Sequence, residues 1–455
     1  MSAINIVLLC FFIHCATLSA SKSQHFEYYD GFQIIRVALK SDENSAAMEN
    51  FSSKFDSKSV QLWNFRPDFK ESADIFVGPE KIDEVLAFLK NNGIEHHTVD
   101  SNYGILLREH FGNLTYEEIE TIEKESDFNL NKFQPFDMIV KYLQFLAENY
   151  TEFVKLGSLG KTFEGRDQPI ITLGYKNGSS QKPSLLVDAG IHAREWIAPA
   201  TALHFINAFV NDPDMHDLLH EIDVHIVPVL NADGYVYTWK KNRLWRKTRS
   251  GPRKADPEIC SAKDIAEYED EEHNCFGTDG NRNFPYKWGI SGTNGCPCGE
   301  TFRGDSALSE PETRNLAQFV RSHNTTLKAW WILHTFSAWI AYDNRSNKEN
   351  VEQLKRVAHA MAEAIANSGK DKYKYKVHEV NYLCPGCSLD FGRTQDIKLM
   401  FFTELTNGYY NDKYYGFVFP EESINNVAKS IIPALRILAD EVRKEKGEGL
   451  ENKFC

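Results

Sequence analysis

From Phe26 to about Asp100, short apolar runs alternate with stretches of helical spacing: FQIIRVAL, Asn44–Lys54, VQLWNF, ADIFV, Pro79–Asn91 and HHTVD. Read as strands and helices, the order is βαββαβ, a small α+β open sandwich. Its second helix is the clearest, with Pro79 in the first turn and Ile82, Val85, Leu86 and Leu89 on one face. Residues 104–132 lose this pattern. They are rich in Glu, Asn and Leu and carry isolated basic residues at Arg108, Lys124 and Lys132, which suits a helical connector with an exposed cleavage site. After Pro135 a helix to about Asn149 leads into IITLG, SLLVDAG, VHIVPVL, AWWILHT and LMFFTEL, strand-like runs separated by helical segments. Nearly continuous apolar strands flanked by helices predict an α/β domain with a buried central sheet. Glu421–Lys446 reads as one long amphipathic helix, and no internal repeat or low-complexity stretch interrupts the chain.

Residues 4–15, INIVLLCFFIHC, form an apolar run of signal-peptide length followed by the small residues Ala16, Thr17, Ser19 and Ala20. The run is too short to span a bilayer, and no other stretch is long and apolar enough to anchor the chain, so export without a membrane anchor is expected. The boundaries that follow are a signal peptide at 1–20, a first domain at 21–103, a connector at 104–128 and a second domain at 129–455.

The length of 455 residues accommodates two or three domains at roughly 100–200 residues each. With 42% hydrophobic and 25% charged residues, a sizeable core is available and wholesale disorder is excluded. The net charge of −13 argues against a nucleic-acid partner, because such proteins concentrate Lys and Arg on a face. Seven of the nine cysteines lie beyond the signal segment, and in an exported chain they suggest disulfides. Six sequons, at Asn50, Asn113, Asn149, Asn177, Asn324 and Asn344, point the same way.

The chemistry starts where SLLVDAG ends. His192 and Glu195 follow at a strand's C-terminal edge, where ligands gather in open α/β sheets. Catalytic zinc takes three protein ligands and keeps one position open, so a second histidine is needed. His334, at the end of the strand 329–333, is the candidate. Neither signal is specific alone, since HxxE is a common chance pattern and an isolated strand histidine is more often a satisfied core residue. Glu404 ends the apolar run LMFFT, a costly place for an unpartnered carboxylate, so it is either a partnered structural group or a functional base.

Six stretches decide between these readings. GKTFEGR at 160–166, HAREW at 192–196, NADGYVYTWKKNRLWRKTR at 231–249, DGNRN at 279–283, ETFRG at 300–304 and TEL at 403–405 resemble, in order, signatures of the metallo-carboxypeptidase A/B family. Residues 26–100 resemble that family's pro-segment. The resemblance implies a secreted zymogen: an activation pro-domain, then a carboxypeptidase-like catalytic domain with a mixed central sheet flanked by helices. It implies one Zn2+ per chain on His192, Glu195 and His334. Arg246, with Arg243, Lys247 and Arg249 close by, would polarise the scissile carbonyl and stabilise the oxyanion. Glu404 would take a proton from the water at the metal and pass it to the leaving amine. Asn281 and Arg282 would grip the substrate's terminal carboxylate, the guanidinium through two parallel hydrogen bonds. Arg194 and Arg243 would assist binding, and Tyr382 would fold over the bound substrate.

Two departures from the family pattern stand beside the site: Phe336 where a tyrosine is usual and Thr406 where an arginine is frequent. The floor of the pocket for the terminal side chain aligns with Leu389. An aliphatic floor cannot pair a buried Lys or Arg, so A-type preference for aliphatic or aromatic termini follows. A one-residue slip would bring Asp390 there and give B-type preference, and the short loop after His334 leaves Asp343 and Arg345 without a place. The resemblance also implies a Cys275–Cys298 bridge. Cys260 with Cys296 is a second plausible pair, and Cys384 with Cys387 is expected to form a small local disulfide. The implied partners are peptide and protein C-termini and an activating trypsin-like protease, with a monomeric enzyme in a digestive role or, alternatively, a regulatory extracellular one. The pro-segment holds no cysteine to reach a metal, so it would act by covering the cleft, and cleavage near Arg108 or Lys124 would free it.

Overall fold

The alternation in FQIIRVAL becomes strand β1 (Gln33–Ala38), and helix α1 (Asp42–Phe55) starts where the Ser41 hydroxyl accepts from Asn44 N at 3.2 Å. Strands β2 (Val60–Trp63) and β3 (Ser72–Val77), helix α2 (Ile82–Asn91) and strand β4 (His96–Asp100) complete the expected βαββαβ order. The sheet is antiparallel, in the order β2-β3-β1-β4. Its helix-facing side buries Ile35, Val37, Ile75 and Val77 against Met48, Phe51, Val85 and Leu89. The computed structural model describes residues 27–65, 72–111, 128–176, 181–260, 274–290, 292–345, 347–369, 374–381 and 384–445. The signal segment, Lys124, Tyr382, Cys455 and the sequons at Asn113 and Asn177 fall outside them.

Helix α3 (Tyr103–Phe111) follows at once, burying Tyr103, Leu106 and Leu107 in the cluster that holds Trp63 and Phe76. Arg108 therefore sits in a packed helix, ion-paired with Asp30, rather than on an open linker.

The second unit opens with helix α4 (Phe136–Asn149) and strands β5 (Val154–Lys161), β6 (Asp167–Leu173) and β7 (Ser184–Ala189). Helix α5 (Ile197–Asn211), strand β8 (Asp223–Val227) and helix α6 (Ala232–Lys240) follow. A short pair, β9 (Arg253–Lys254) and β10 (Asn274–Cys275), precedes helix α7 (Pro311–Ser322). The chain then forms β11 (Leu327–Thr335), β12 (Trp339–Asp343), helix α8 (Lys348–Asn367), β13 (Lys376–Val380), helix α9 (Ser388–Arg393), β14 (Leu399–Leu405) and helix α10 (Ile424–Lys444). The eight-stranded sheet has the order β13-β12-β14-β11-β7-β8-β6-β5. It is mixed, parallel across β14-β11-β7-β8 and antiparallel towards β6 and β5.

Both faces of the sheet are covered, which is why its central strands read as unbroken apolar runs. Along β11, Trp331 and Leu333 join the cluster under α5, α8 and α10, while Trp330 and Ile332 join the one under α7 and α9. No described helix is long and apolar enough to cross a membrane. Disulfides Cys260–Cys296 and Cys275–Cys298 are both present. The local bridge expected between Cys384 and Cys387 is not formed; both residues are thiols.

Candidate active site

The parallel register brings the candidate residues together. β7, β11 and β14 run side by side with their C-terminal ends at one edge, His334 on β11 pairs in register with Glu404 on β14, and His192 lies just past the end of β7. His192 and His334, 142 positions apart in the sequence, thus share one site. Their ring centroids are 4.7 Å apart.

Glu195 joins the two imidazoles. His192 Nδ1 lies 2.7 Å from Glu195 Oε1, and His334 Nδ1 lies 3.0 Å from Glu195 Oε2. All three are buried, and one donor atom from each falls within 4.8 Å of the others. Burial pushes the Glu195 carboxyl up, but the two adjoining imidazoles outweigh it and hold it well below the usual carboxylate range. For His334, burial dominates and lowers the ring to about 4 despite Glu195, which keeps it neutral and able to donate a lone pair. Two imidazole nitrogens and a carboxylate oxygen converging in a buried pocket fit a zinc ion in number and in donor type.

The outer nitrogens are also engaged. His192 Nε2 is 3.2 Å from Asp279 Oδ1, and His334 Nε2 is 3.4 Å from Asn281 Nδ2. The Asp279 carboxylate can accept from His192 Nε2 and so orients that imidazole for coordination through Nδ1. Asp279 Oδ2 also accepts from Arg246 Nη2 at 2.8 Å, tying that guanidinium to the histidine beside it. Asp279 was missed as a functional residue. Its only signal in the sequence was its place at the head of DGNRN, and the side chains it serves are 33 and 87 positions away.

Asn281 and Arg282 stand on the short turn Gly280–Arg282 that Asp279 caps through Asn281 N at 2.9 Å. Asn281 Oδ1 accepts from Ser388 N and Oγ, at 3.0 and 3.1 Å. Arg282 donates to Gly292 O and Asn281 O, at 3.0 and 2.8 Å. Arg194, Arg246, Asn281, Arg282 and Glu404 all line one cavity of about 760 Å³ together with His192 and Glu195. Arg243 has a different place. It is buried, donates to Arg194 O and Phe417 O at 2.8 and 2.9 Å, and stacks over Trp196 at 3.8 Å. Leu389 is also buried, packed with Cys387 and Phe391.

Asp343 and Arg345, left without a place by the sequence, are paired with one another. Arg345 bridges Asp343, at 2.7 and 2.9 Å, and Asp390, whose other oxygen accepts from Cys384 N at 2.8 Å. Of the two departures, Phe336 lines the cavity and packs edge-on against Phe417 at 5.0 Å, whereas Thr406 is buried away from it.

The cavity's other wall comes from the first unit, including Phe51, Phe55, Gln61 and Trp63. Gln61 Oε1 accepts from Arg194 Nη1 at 2.6 Å, and Asp56 accepts from Thr301 Oγ1 at 3.1 Å and Asn294 Nδ2 at 3.2 Å. Trp63 meets Phe417 at 4.8 Å, and Arg36 donates to the Tyr409 hydroxyl at 2.7 Å. The small domain thus lies across the mouth of the site.

Comparison with known proteins agrees with this geometry. Residues 139–433 match the family model for zinc carboxypeptidases, and residues 35–110 match that for the carboxypeptidase activation peptide. Carboxypeptidase B of Rattus norvegicus is 29% identical over 432 residues, covering 92% of this chain and 95% of that one. Carboxypeptidase A4 of Mus musculus is 29% identical over 422 residues, covering 91% and 94%. Among solved structures, carboxypeptidase A from Helicoverpa armigera superposes with a TM-score of 0.79 at 25% identity, covering 92% of this chain and 99% of that one.

Proposed function

Starting from the fact that the chain belongs to the zinc carboxypeptidase family and carries its activation peptide, we propose that it is a secreted digestive zymogen whose active form releases aliphatic or aromatic C-terminal residues. The observation that carries this reading is the convergence of a His–Glu–His donor set, Glu404 and Asn281–Arg282 on one cleft.

In this reading Arg282 and Asn281 hold the substrate's terminal carboxylate, which selects a free C-terminus and sets the last peptide bond near the donor set. Zinc, one ion per chain on His192, Glu195 and His334, supplies Lewis-acid polarisation and lowers the pKa of water when bound. Glu404 takes a proton from the attacking water and delivers it to the leaving amine. Arg246, held in place by Asp279, stabilises the negative charge that develops on the carbonyl oxygen. Arg194 extends the binding surface once Gln61 is withdrawn, and Tyr382 closes over the substrate.

The A-type preference rests on Leu389, and the engagement of Asp390 by Arg345 supports it. A carboxylate already paired with a guanidinium is poorly available to a substrate Lys or Arg. Export through a signal peptide at 1–20, glycosylation at the sequons, a pro-domain to about residue 103, activation by a trypsin-like protease within 104–128 and a monomeric enzyme from 129 onward complete the proposal.

The test is limited trypsin treatment followed by rate measurements on peptides ending in Phe, Lys and Glu, with and without a zinc chelator. Activity should appear on cleavage, favour Phe and vanish with chelation. Faster release of Lys would replace the A-type reading with the B-type one.

A further inference from the structure

Cys384, Pro385, Gly386 and Cys387 form a β-turn at the wall of the cleft. Cys387 N donates to Cys384 O at 3.0 Å, Pro385 takes the position whose φ proline presets, and Gly386 follows at φ +74°, as a type II turn requires. A β-turn holds its first and fourth Cα atoms within about 7 Å, which overlaps the separations of about 4.4–6.8 Å that disulfides span. Cys384 is half-buried and lines the cavity with Pro385, while Cys387 is buried beneath. The other four described cysteines are already in disulfides.

The turn is fastened to the residues that face the substrate's carboxylate. Gly386 N donates to Tyr286 O at 2.9 Å, and Phe284 N donates to Gly386 O at 2.8 Å. Ser388, next after Cys387, holds the Asn281 amide oxygen through both its N–H and its hydroxyl. Arg282 Nη1 lies 3.9 Å from Cys384 Sγ. A covalent change in the turn therefore reaches both Asn281 and Arg282 without passing through the metal site.

We propose that Cys384 and Cys387 are a thiol–disulfide exchange site for small disulfides that enter the cleft, and that closing the bridge tightens the grip of Asn281 and Arg282 on substrate. The coupling rests on the reading of those two residues as the carboxylate clamp. Cys384, the thiol at the cleft surface, loses its proton to solvent and attacks one sulfur of RSSR, expelling RS− and leaving a mixed disulfide. Cys387 then gives up its proton and attacks the Cys384 sulfur, expelling the second RS−. The two protons end on the two thiolates, so two protein thiols are oxidised to one disulfide and one RSSR is reduced to two RSH. Bridging draws the Cys384 sulfur towards Cys387 and away from Arg282, which frees a guanidinium donor, and it cross-links the turn that anchors Asn281. Both effects lower KM and leave kcat, which depends on Glu404 and the metal, little changed.

The experiment uses the full chain after trypsin activation, treated with oxidised or reduced glutathione. Peptide mapping by mass spectrometry follows the 384–387 segment, and KM and kcat are measured on a peptide ending in Phe. The expected result is loss of two hydrogens from that segment with a several-fold fall in KM, reversed by reduced glutathione. Cys387→Ser should stop at the glutathione adduct on Cys384 and show no such fall. Absence of the bridge after oxidation overturns the exchange site, and a bridge that leaves KM unchanged or raises it overturns the coupling. Arg282→Lys separates this from the clamp reading: if KM in the dithiol form does not rise, the clamp reading fails, while the mass measurement still judges the exchange chemistry.

Discussion

Glu404 and Asp188 are both buried carboxylates on strands of the central sheet, and their surroundings assign them different fates. Glu404 is at the C-terminal end of its strand, opposite His334 and facing the cavity. As a general base it should account for about 10²–10⁴-fold in rate. Glu404→Gln is expected to lower kcat by at least that range with zinc content and melting temperature unchanged; an equal loss of zinc would mark it as structural. Asp188 lies deeper in β7, where among the described residues it accepts only from Trp330 Nε1 and its Oδ2 has no hydrogen-bond partner. Burial pushes its carboxyl up to about 7, against the Trp330 N–H that favours the charged form. A folded-state pKa above the unfolded one contributes stability that is full below about pH 4 and is lost as pH rises through about 7. The upper bound on that contribution is on the order of 4 kcal/mol, at about 1.36 kcal/mol per pKa unit. Asp188→Asn should therefore flatten the fall in melting temperature between about pH 4 and 7, and a variant as pH-dependent as the parent would exclude this group.

Elements were the most legible level of the chain. The βαββαβ order, the second helix of the small unit and the central strands follow from periodicity and from apolar runs, because burial on one or both faces imposes those patterns locally. Helix α3 was less legible. Its Glu- and Asn-rich continuation resembles a linker, whereas Tyr103, Leu106 and Leu107 pack on residues far away in the sequence, among them Trp63 and Phe76. The Cys384–Cys387 turn was legible as chemistry but not as a state, since proximity of two thiols does not determine whether they are joined. Gly386 is its most constrained position: at φ +74°, an added Cβ would lie 2.2 Å from Arg282 O. Gly386→Ala should displace the clamp and raise KM by about tenfold or more, with a smaller change in kcat, measured by steady-state kinetics. An unchanged KM would show that the turn does not position Arg282.

In the whole molecule, latency depends on the docking of two units, and Trp63 is central to it. Its ring stacks on Phe76 at 4.8 Å within its own unit and meets Phe417 and Phe336, at 4.8 and 6.3 Å, across the interface. Truncating a buried tryptophan costs about 3–5 kcal/mol, and here the loss falls on the small unit and its seal. Trp63→Ala is expected to give the uncleaved chain measurable peptidase activity, with activity after trypsin equal to that of the parent; silence before cleavage would mean that other contacts suffice. The sequence by itself determined the two-unit architecture and singled out His192, Glu195 and His334 as candidates, because periodic burial and ordered motifs are properties of neighbouring residues. Only the tertiary structure decided that Asp279 orients His192 and Arg246, that Arg345 occupies Asp390, and that Gln61 covers Arg194. Those pairings join side chains tens to more than a hundred positions apart, and no local pattern encodes which distant partner a buried charge will meet.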